Sequence, residues 1–381
     1  MKKNIFKFLI PTSLVAAAPL ALAACNTNNA DSEKLNKENA DLKSQITALN
    51  TKLTEANKKV KEANDKLDVA IGLKSNVWNS FSGDKVAQSL QAYANAKVAF
   101  DKMITQDMIS TTNVKVNADR VALTKPDEGK SIPVVFMDLD ETVLDNFKLQ
   151  NYFLLNGKTY DYNLWSEFVS AGISEEVPGA IDFIKYVWSK GGVVMFNSNR
   201  KMSEHKQGSF NNLKALKLDE KYMPDWIWWM KGVDTKSATP WTTTNGFDNK
   251  ETRMNAVSDK KFTIDGVADI SFKVVMRVGD DISDFNDNFT KSKEISLQSI
   301  NSALYSDESG YGKLFGNTDL NNKSVTYDDK TKTWTKQQWS ASYVFIPGNQ
   351  VYGSWIKQII GSNDLEYEKS IELIKEYSWK K

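Results

Sequence analysis

Two aspartates that are one residue apart, Asp138 and Asp140, follow a run of four apolar residues, 134–137. Such a run is too short for a helix and predicts a buried strand of a parallel sheet. Ligands of open α/β sheets bind at the carboxyl ends of strands, so one carboxylate can attack as a nucleophile while the other moves a proton. The spacing alone is also compatible with a solvated acidic turn after a core strand.

Two later apolar runs end in the same way, in small or acidic polar residues. Residues 193–196 lead into Asn-Ser-Asn-Arg at 197–200, and residues 272–278 lead into Gly-Asp-Asp-Ile-Ser-Asp-Phe at 279–285. Lys250 precedes the third run. A nucleophile, a hydroxyl, a cation and an acid pair are the groups that a magnesium-dependent phosphatase needs, because a phosphoryl group carries charge on several oxygens.

Together, these motifs resemble those of the haloacid dehalogenase (HAD) superfamily and, within it, the class C acid phosphatases, which are bacterial surface lipoproteins. D-x-D-E-T-x-L-D-N, S-N-R, K-x-x-R and G-D-x-x-x-D-F occur in that family's order, and the likeness runs from about Trp78 to about Trp355. The resemblance implies an α/β fold, a HAD-like Rossmannoid parallel sheet with helices on both faces and a small cap insertion. We assign residues 77–381 to this acid phosphatase domain.

The resemblance also implies a role for each motif residue. Asp138 is the nucleophile that forms an aspartyl-phosphate, and Asp140 is the acid for the leaving alcohol and later the base for water. The residues expected to bind the phosphate are Thr142, Ser198, Asn199 and Lys250. Mg²⁺ is the expected cofactor, since it prefers oxygen ligands. Its expected ligands are Asp138, the backbone carbonyl of Asp140, Asp280 and, in or near the coordination shell, Asp284.

An aromatic-rich segment follows the first strand at about 147–178, where HAD enzymes carry an insertion that caps the active site. Trp165 lies where class C enzymes have a tryptophan that helps to hold the organic part of the substrate, and Tyr352 is the second candidate ring. The two rings could sandwich a nucleobase, which favours a nucleoside 5′-monophosphate as substrate and a 5′-nucleotidase activity. Ordinary core packing is the alternative role for Trp165.

The chain departs from the family pattern at three places. The segment 231–248 is longer than its family counterpart, and a long polar insertion occupies 292–342. Asp281 stands where the family commonly has asparagine. Before the first of these places, the buried run 226–230 is expected to form a strand. The only histidine, His205, lies outside the motifs and is expected at the surface with no chemical role, so catalysis must depend on carboxylates.

Composition narrows the function classes further. The 381 residues suffice for about two average domains or one large one. The net charge of +1 gives no argument for binding a nucleic-acid polymer. One cysteine, Cys25, excludes an intramolecular disulfide framework.

The first 24 residues have the pattern of a targeting segment, with lysines followed by an apolar stretch. They end in Leu22-Ala23-Ala24 before Cys25, which resembles the bacterial lipobox, where the cysteine is diacylated after cleavage. Two acyl chains suffice for stable anchoring, so we expect a lipid anchor on Cys25 at the extracellular face of the cell membrane. An uncleaved transmembrane anchor is the alternative.

Residues 25–76 are polar and carry a heptad pattern, which predicts a coiled-coil or tether stalk. The a positions hold Ile46, Leu53, Val60 and Leu67, and the d positions hold Leu35, Leu42, Leu49, Ala56, Ala63 and Ala70. Self-association through this seam would make a parallel homo-oligomer, although the alanines at d weaken it. A single helix folded against the next domain is the alternative.

The expected function is therefore that of a surface-anchored phosphomonoesterase. One competing hypothesis is an adhesin or structural lipoprotein on a HAD scaffold, which the stalk would suit. Another is a HAD phosphotransferase or sugar phosphatase. Against the first, a scaffold kept only for its shape has no need of five catalytic side chains, namely Asp138, Asp140, Ser198, Lys250 and Asp280.

Overall fold

The computed structural model of the chain describes residues 29–158, 160–243, 245–246, 248–286, 309–328, 333–348 and 351–356, together with residues 304, 331 and 372. The targeting segment 1–24 and Cys25 lie outside the described residues, as does part of the insertion 292–342. Backbone contacts divide the chain into two units, Met1–Gly72 with Tyr367–Lys381 and Leu73–Glu366.

A single long helix, α1 (Asn29–Phe81), contains the described residues of the first unit up to Gly72 and continues to Phe81 in the second. Several of its apolar heptad residues are exposed in the single chain: Leu35, Leu42, Ile46 and Leu49 expose between 37 and 63% of their surface. The helix that the heptads predict is therefore present, and its self-association stays a prediction. Among the described residues, none of the helices combines the length and apolarity that crossing a membrane requires.

The second unit is built on a sheet whose strands run in the order β11, β8, β3 and β6, all parallel to their neighbours. These strands span Ser342–Phe345, Val267–Gly279, Ile132–Met137 and Val193–Phe196. A further strand, β7 (Lys261–Ile264), pairs antiparallel with β8. All six residues of β3 are buried, and β6 and β8 pair with its two edges, which makes it a central strand. The parallel sheet and the α/β class that the apolar runs predict are confirmed.

The carboxyl ends of β3, β6 and β8 lie at one edge of the sheet. Met137 is in register with Phe196 on one side and with Val278 on the other. The backbone N–H of Asp138 then donates to the carbonyl of Val278 at 3.0 Å, which continues the pairing beyond the last strand residue. Because all three motif loops leave the sheet at this edge, their side chains converge.

Helices α2 (Gly83–Met103), α5 (Ala180–Ser189) and α7 (Lys250–Asp259) pack on this sheet. Helix α2 buries Tyr93, Ala96, Phe100 and Met103 on one face. The close approach of Phe100 requires glycine at Gly192, because a Cβ there would lie 2.5 Å from Cζ of the ring. The core is therefore continuous from α2 through α5 to β6.

The aromatic-rich segment contains α3 (Phe147–Leu155) and α4 (Tyr162–Ala171), between the paired strands β4 (Leu144–Asp145) and β5 (Glu175–Glu176). It has an apolar cluster of its own, formed by Leu149, Phe153 and Phe168 with Leu164 and Trp165 packed against it. Helix α4 also contacts α6 (Met202–Ala215). Gly208 of α6 allows this contact, since a Cβ there would lie 2.5 Å from the carbonyl oxygen of Val169.

The expectation of a strand at 226–230 is wrong. Asp225–Ile227 forms a 3-10 turn, and only Trp228 makes an isolated parallel bridge, to Phe196. The five residues are nevertheless fully or almost fully buried. Burial of an apolar run does not require a strand. Here a turn, the carbonyl of Phe196, which accepts from the N–H of Trp229 at 2.8 Å, and the guanidinium of Arg253, which donates to the carbonyl of Trp229 at 2.6 Å, satisfy backbone groups of the run.

Two small antiparallel ribbons complete the described fold. β1 (Val114–Val116) pairs with β2 (Val121–Leu123), and β9 (Lys323–Asp328) pairs with β10 (Thr333–Ser340). Part of the polar insertion thus forms a hairpin. A second apolar cluster joins the residues around this hairpin to Phe285, which follows the acidic turn, and consists of Phe285, Tyr311, Leu314, Val325, Ala341 and Tyr343.

Candidate active site

Asp138 and Lys250 form a buried ion pair at the carboxyl edge of the sheet. Asp138 follows β3 directly and is 9% exposed, and Lys250 is the first residue of α7, capped by the side chain of Asn249. The Lys250 Nζ lies 2.7 Å from Asp138 Oδ1 and 2.7 Å from Asp284 Oδ1. Burial raises the pKa of Asp138, while Lys250 opposes that rise. Burial alone would lower the pKa of Lys250, but the two carboxylates outweigh it, so the ammonium stays charged.

Three carboxylates, those of Asp138, Asp280 and Asp284, lie close enough to share one cation. One oxygen atom from each lies within 4.8 Å of the others. Burial, and then the neighbouring carboxylates, raise the pKa of Asp280 well above its usual value and that of Asp284 to about 7. Buried like charges this close repel one another unless a cation is present. The all-oxygen donor set and the excess of negative charge fit Mg²⁺, which the motifs predict.

Gly279 brings Asp284 to this position. A Cβ on Gly279 would lie 2.3 Å from both Cβ and Oδ2 of Asp284. The backbone after β8 therefore passes under the Asp284 side chain at a distance that only glycine permits. Thr142 fixes the position of Asp280. Its side chain is fully buried, and its hydroxyl donates to Asp280 Oδ1 at 3.1 Å.

Asp140 is held by a guanidinium. Arg200 Nη2 donates to Asp140 Oδ1 at 2.7 Å, and Arg200 Nε lies 3.1 and 3.2 Å from the two carboxylate oxygens. Asn146 Nδ2 adds a hydrogen bond to Oδ1 at 2.6 Å. Burial alone would raise the pKa of Asp140, but Arg200 lowers it below the usual range. The side chain keeps 22% of its surface exposed, so it can reach a bound ester.

The other residues predicted to bind phosphate occupy different environments. Ser198 is fully buried after β6, and its Oγ accepts from the backbone N–H of Arg200 at 3.1 Å. Asn199 is exposed, and its Oδ1 accepts from Arg253 Nη2 at 3.3 Å. The hydroxyl of Thr142 is directed at Asp280, so Lys250, which contacts Asp138 directly, is the member of this set best placed to meet a phosphate there.

The two aromatic residues predicted to bind the substrate, Trp165 and Tyr352, contact different neighbours of Asp140. Trp165 is half-buried in α4, with its ring centroid 6.0 Å from Cζ of Arg200. Tyr352 is half-buried, and its hydroxyl donates to Glu141 Oε2. Trp165 thus contacts the residue that holds Asp140, and Tyr352 contacts the residue that follows Asp140.

Residues that the motif assignments leave without a role connect these groups. Glu141 has a left-handed backbone (φ 54°) and accepts from the N–H of Asn146 at 3.1 Å. Burial and the neighbouring Asp140 raise the pKa of Glu141 to about 8. Arg253, 1% exposed, donates to the carbonyls of Ser198 and Trp229 at 2.7 and 2.6 Å. The only sequence signal for Glu141 and Arg253 is their place inside the motifs D-x-D-E and K-x-x-R.

The expectation that His205 lies at the surface is wrong. Its side chain is fully buried, with Nδ1 accepting from the backbone N–H of Lys201 at 3.1 Å. The other nitrogen, Nε2, therefore carries the proton and donates to Ser166 Oγ of α4 at 3.0 Å. The ring also stands 4.6 Å from Trp165, at 74° between the planes. His205 joins α6 to the aromatic segment rather than facing solvent.

Comparisons with known proteins agree with this geometry. The model of the family described as HAD superfamily, subfamily IIIB (acid phosphatase) matches residues 39–308, more than half of the chain. The class C acid phosphatase from Bacillus anthracis is similar in structure, with a TM-score of 0.53 and 21% sequence identity over 82% of this chain and 98% of that chain. The tungstate-bound structure of the same enzyme gives a TM-score of 0.52 at 21% identity and the same coverage.

At this identity the structural likeness shows the fold alone, and it confirms the expected HAD-like architecture. The family match covers the first motif, the strand ends, Lys250 and the acidic turn. This chain belongs to the acid phosphatases of HAD subfamily IIIB and is a phosphatase.

Proposed function

We propose that the chain is a magnesium-dependent phosphomonoesterase that acts through an aspartyl-phosphate on Asp138. Two contacts of Asp138 carry this proposal. Its carboxylate lies 2.7 Å from the buried ammonium of Lys250, and it lies close enough to Asp280 and Asp284 for the three acids to share one cation. Such a site can accept a phosphate dianion, because Lys250 and a cation offset the repulsion between the dianion and the carboxylates.

In the first step an Asp138 oxygen attacks phosphorus, and the bond between phosphorus and the ester oxygen breaks. Arg200 keeps Asp140 ionised in the free enzyme, so Asp140 first takes up a proton from solvent and then gives it to the leaving alkoxide, while Lys250 and Ser198 stabilise the charge on the phosphoryl oxygens. In the second step Asp140 takes a proton from water, the water oxygen bonds to phosphorus, and the bond to Asp138 breaks. Mg²⁺, held by Asp138, Asp280, Asp284 and the carbonyl of Asp140, would supply neutralising charge at the phosphate when bound.

The substrate class that we propose is a nucleoside 5′-monophosphate. Trp165 and Tyr352 approach the Asp140 loop through Arg200 and Glu141, and an aromatic ring that stacks on a base contributes about 1–3 kcal/mol whatever the base. Hydrolysis of nucleotides would release nucleosides at the cell surface.

The test compares hydrolysis of nucleoside 5′-monophosphates, sugar phosphates and p-nitrophenyl phosphate by the soluble domain. Trp165→Ala and Tyr352→Ala should raise KM for nucleotides, with kcat/KM falling roughly 5- to 150-fold, and should affect p-nitrophenyl phosphate less. The control is Tyr222→Ala, because the Tyr222 ring is also half-buried but packs against Trp188. Unchanged selectivity in both variants would reduce the proposal to a phosphomonoesterase of another substrate.

The same assay separates the competing functions. An adhesin or structural lipoprotein on this scaffold would hydrolyse none of the substrates. A phosphotransferase would pass the phosphoryl group to an added alcohol in place of water, and a sugar phosphatase would prefer the sugar esters. Product analysis by phosphorus NMR distinguishes these outcomes.

We further propose that the enzyme is a lipid-anchored protein of the extracellular face, with α1 as its stalk. The support is Leu22-Ala23-Ala24-Cys25 in the sequence and the exposed apolar heptad residues of α1. Cys25→Ser should move the protein from the detergent phase to the aqueous phase or leave it unprocessed. A peptide of residues 26–75 should gain helix with rising concentration if the stalk self-associates.

A further inference from the structure

The residues around Tyr352 are attached to the active site at two points. The segment in question, which we call the 351–355 segment, carries Tyr352 and follows β11 in the chain. Its first attachment is the hydrogen bond from the Tyr352 hydroxyl to Glu141 Oε2. Glu141 in turn accepts from the backbone N–H of Asn146 at 3.1 Å, and Asn146 donates to Asp140 at 2.6 Å. This side of the segment is therefore linked to the acid loop.

The second attachment is the carboxylate of Asp281, which accepts hydrogen bonds from Ser354. Asp281 Oδ2 accepts from the backbone N–H of Ser354 at 2.6 Å, and Asp281 Oδ1 accepts from the Ser354 hydroxyl at 2.5 Å. Asp281 Oδ1 also accepts from the N–H of Ser283 at 2.8 Å and so caps the turn that positions Asp284. One side chain thus joins the metal-binding turn to the 351–355 segment.

Only a carboxylate can accept from both backbone N–H groups, that of Ser283 at Oδ1 and that of Ser354 at Oδ2. An asparagine at this position, which the family commonly has, offers one acceptor oxygen and presents an NH₂ group to the other donor. Two donors would then face each other, and one of the two backbone N–H groups, of Ser283 or of Ser354, would lose its acceptor. The aspartate is therefore matched to Ser354, and the exchange of asparagine for aspartate acquires a physical reason.

Gly353 makes the close approach feasible. Its φ is +137°, and a Cβ there would lie 2.8 Å from Asp281 Oδ2 and 3.1 Å from Trp355 Cδ1. Any side chain at 353 would push the carboxylate away from Ser354. The backbone of the 351–355 segment is thus shaped to receive this one acid.

The carboxylate of Asp281 also carries an electrostatic cost. Its charge contributes to raising the pKa of Asp280 and of Asp284, which lie in the same acidic turn. A neutral residue at 281 would relieve this repulsion. The hydrogen bonds that the Asp281 carboxylate accepts must therefore offset the free energy that the repulsion costs. Both carboxylate oxygens of Asp281 accept hydrogen bonds from Ser354 or Ser283. Asp281 is not among the three acids of the described residues that lie close enough to hold a cation.

We infer that Asp281 is a positioning residue that, through Ser354, holds Tyr352 at the substrate site and is not a ligand of the metal. The inference rests on the proposed function for its kinetic consequence, because Tyr352 is a substrate-binding residue only there. Its structural content, the attachment of the 351–355 segment, is independent of the substrate.

The experiment compares Asp281→Asn and Ser354→Ala with a matched control, Asp219→Asn. Asp219 caps another 3-10 turn, Glu220–Tyr222, by accepting from the N–H of Lys221 at 3.2 Å, so it tests the loss of a capping charge alone. The first readout is hydrogen–deuterium exchange of peptides covering 351–356 in the enzyme without substrate. We expect exchange about tenfold faster or more in both site variants, because a hydrogen bond to a charged group is lost, and no change in the control.

The second readout is kinetic. Asp281→Asn and Ser354→Ala should raise KM for a nucleoside 5′-monophosphate several-fold and shift selectivity towards p-nitrophenyl phosphate, while the midpoint of activation by Mg²⁺ stays within about twofold of wild type. Unchanged exchange in both variants overturns the inference, and so does a large loss of Mg²⁺ affinity in Asp281→Asn. A third outcome is faster exchange in both site variants while nucleotide selectivity is unaltered in them and in Tyr352→Ala. That result supports the attachment of the segment and rejects the proposed substrate class.

Discussion

Arg200 holds Asp140 through Nε and Nη2, with Nη2 2.7 Å from Oδ1. The guanidinium is itself fixed, because Nη1 donates to Ser209 Oγ of α6 at 2.9 Å and the side chain is wholly buried. A planar guanidinium bound at two points fixes the rotation of a carboxylate as well as its position. Arg200 therefore determines which way Asp140 faces when the ester arrives.

Arg200→Ala should impair proton transfer more than substrate binding. We expect kcat/KM for an alkyl phosphate, whose leaving group needs a proton, to fall about 10²-fold or more. The fall should be smaller for p-nitrophenyl phosphate, since p-nitrophenolate leaves without one, and Arg200→Lys should lie between. The exposed Arg120 supplies the control variant Arg120→Ala. Equal losses for alkyl and aryl esters would mean that Arg200 has only a structural role.

Asp138→Asn should remove the nucleophile and leave the fold. An amide is a poor nucleophile, so turnover should fall about 10³-fold or more. The melting temperature should change little, because Lys250 keeps Asp284 as a partner at 2.7 Å. Asp127→Asn, in the exposed loop before β3, is the control. Activity above a few per cent of wild type in the purified Asp138 variant would refute the nucleophile assignment.

Removal of divalent cations should abolish activity and lower stability together. The three acids repel one another in the cation-free protein, so Mg²⁺ at about 100 times its Kd should stabilise the fold by about 2.7 kcal/mol. Differential scanning fluorimetry with EDTA and then with excess Mg²⁺ measures this as a rise in Tm. Asp280→Asn should diminish the rise, and a monovalent salt at equal ionic strength should not produce it. A wild-type Tm indifferent to Mg²⁺ would count against the site.

His205 should make stability depend on pH. Burial lowers the pKa of His205 in the folded state, so it stays neutral where a histidine of the unfolded chain, with a pKa of about 6.5, takes up a proton. Stability rises with pH wherever the unfolded state binds more protons, so the contribution of His205 is full above about pH 6.5 and is lost as the pH falls below it.

The measurement is the difference in Tm between wild type and His205→Gln at a series of pH values. The glutamine side chain cannot become charged, so the wild-type advantage should shrink from about pH 8 to about pH 5. Taking the difference cancels the carboxylates, several of which have raised pKa values and respond in the opposite direction. A constant difference across this range would show that His205 titrates alike in both states.

The groups that the sequence predicts best are those attached directly to strand ends. Asp138 and Asp280 each follow a buried apolar run, and the parallel pairing of β3 with β8 places the ends of those runs together, so both acids reach one edge of the sheet. The roles of Arg200 and Glu141 depend instead on partners 60 and 211 residues away, Asp140 and Tyr352. Local patterns contain no information on such pairings.

Burial that depends on distant parts of the chain is also beyond what local sequence predicts. Residues 226–230 are apolar enough for a strand, but a short buried run fits a turn equally well. His205 stands among polar neighbours in α6, and its burial comes from α4, which is separate in the chain. In both cases tertiary contacts decide what the local sequence leaves open.

The position of β3 between β6 and β8 has a consequence for biosynthesis. β3 and β6 leave the ribosome long before β8, and Thr142 and Asp280, which hydrogen bond across this boundary, are 138 residues apart. Until β8 emerges, one edge of the apolar strand β3 has no partner, and unpaired edges of this kind promote aggregation. We therefore expect truncations before residue 279 to accumulate as insoluble protein.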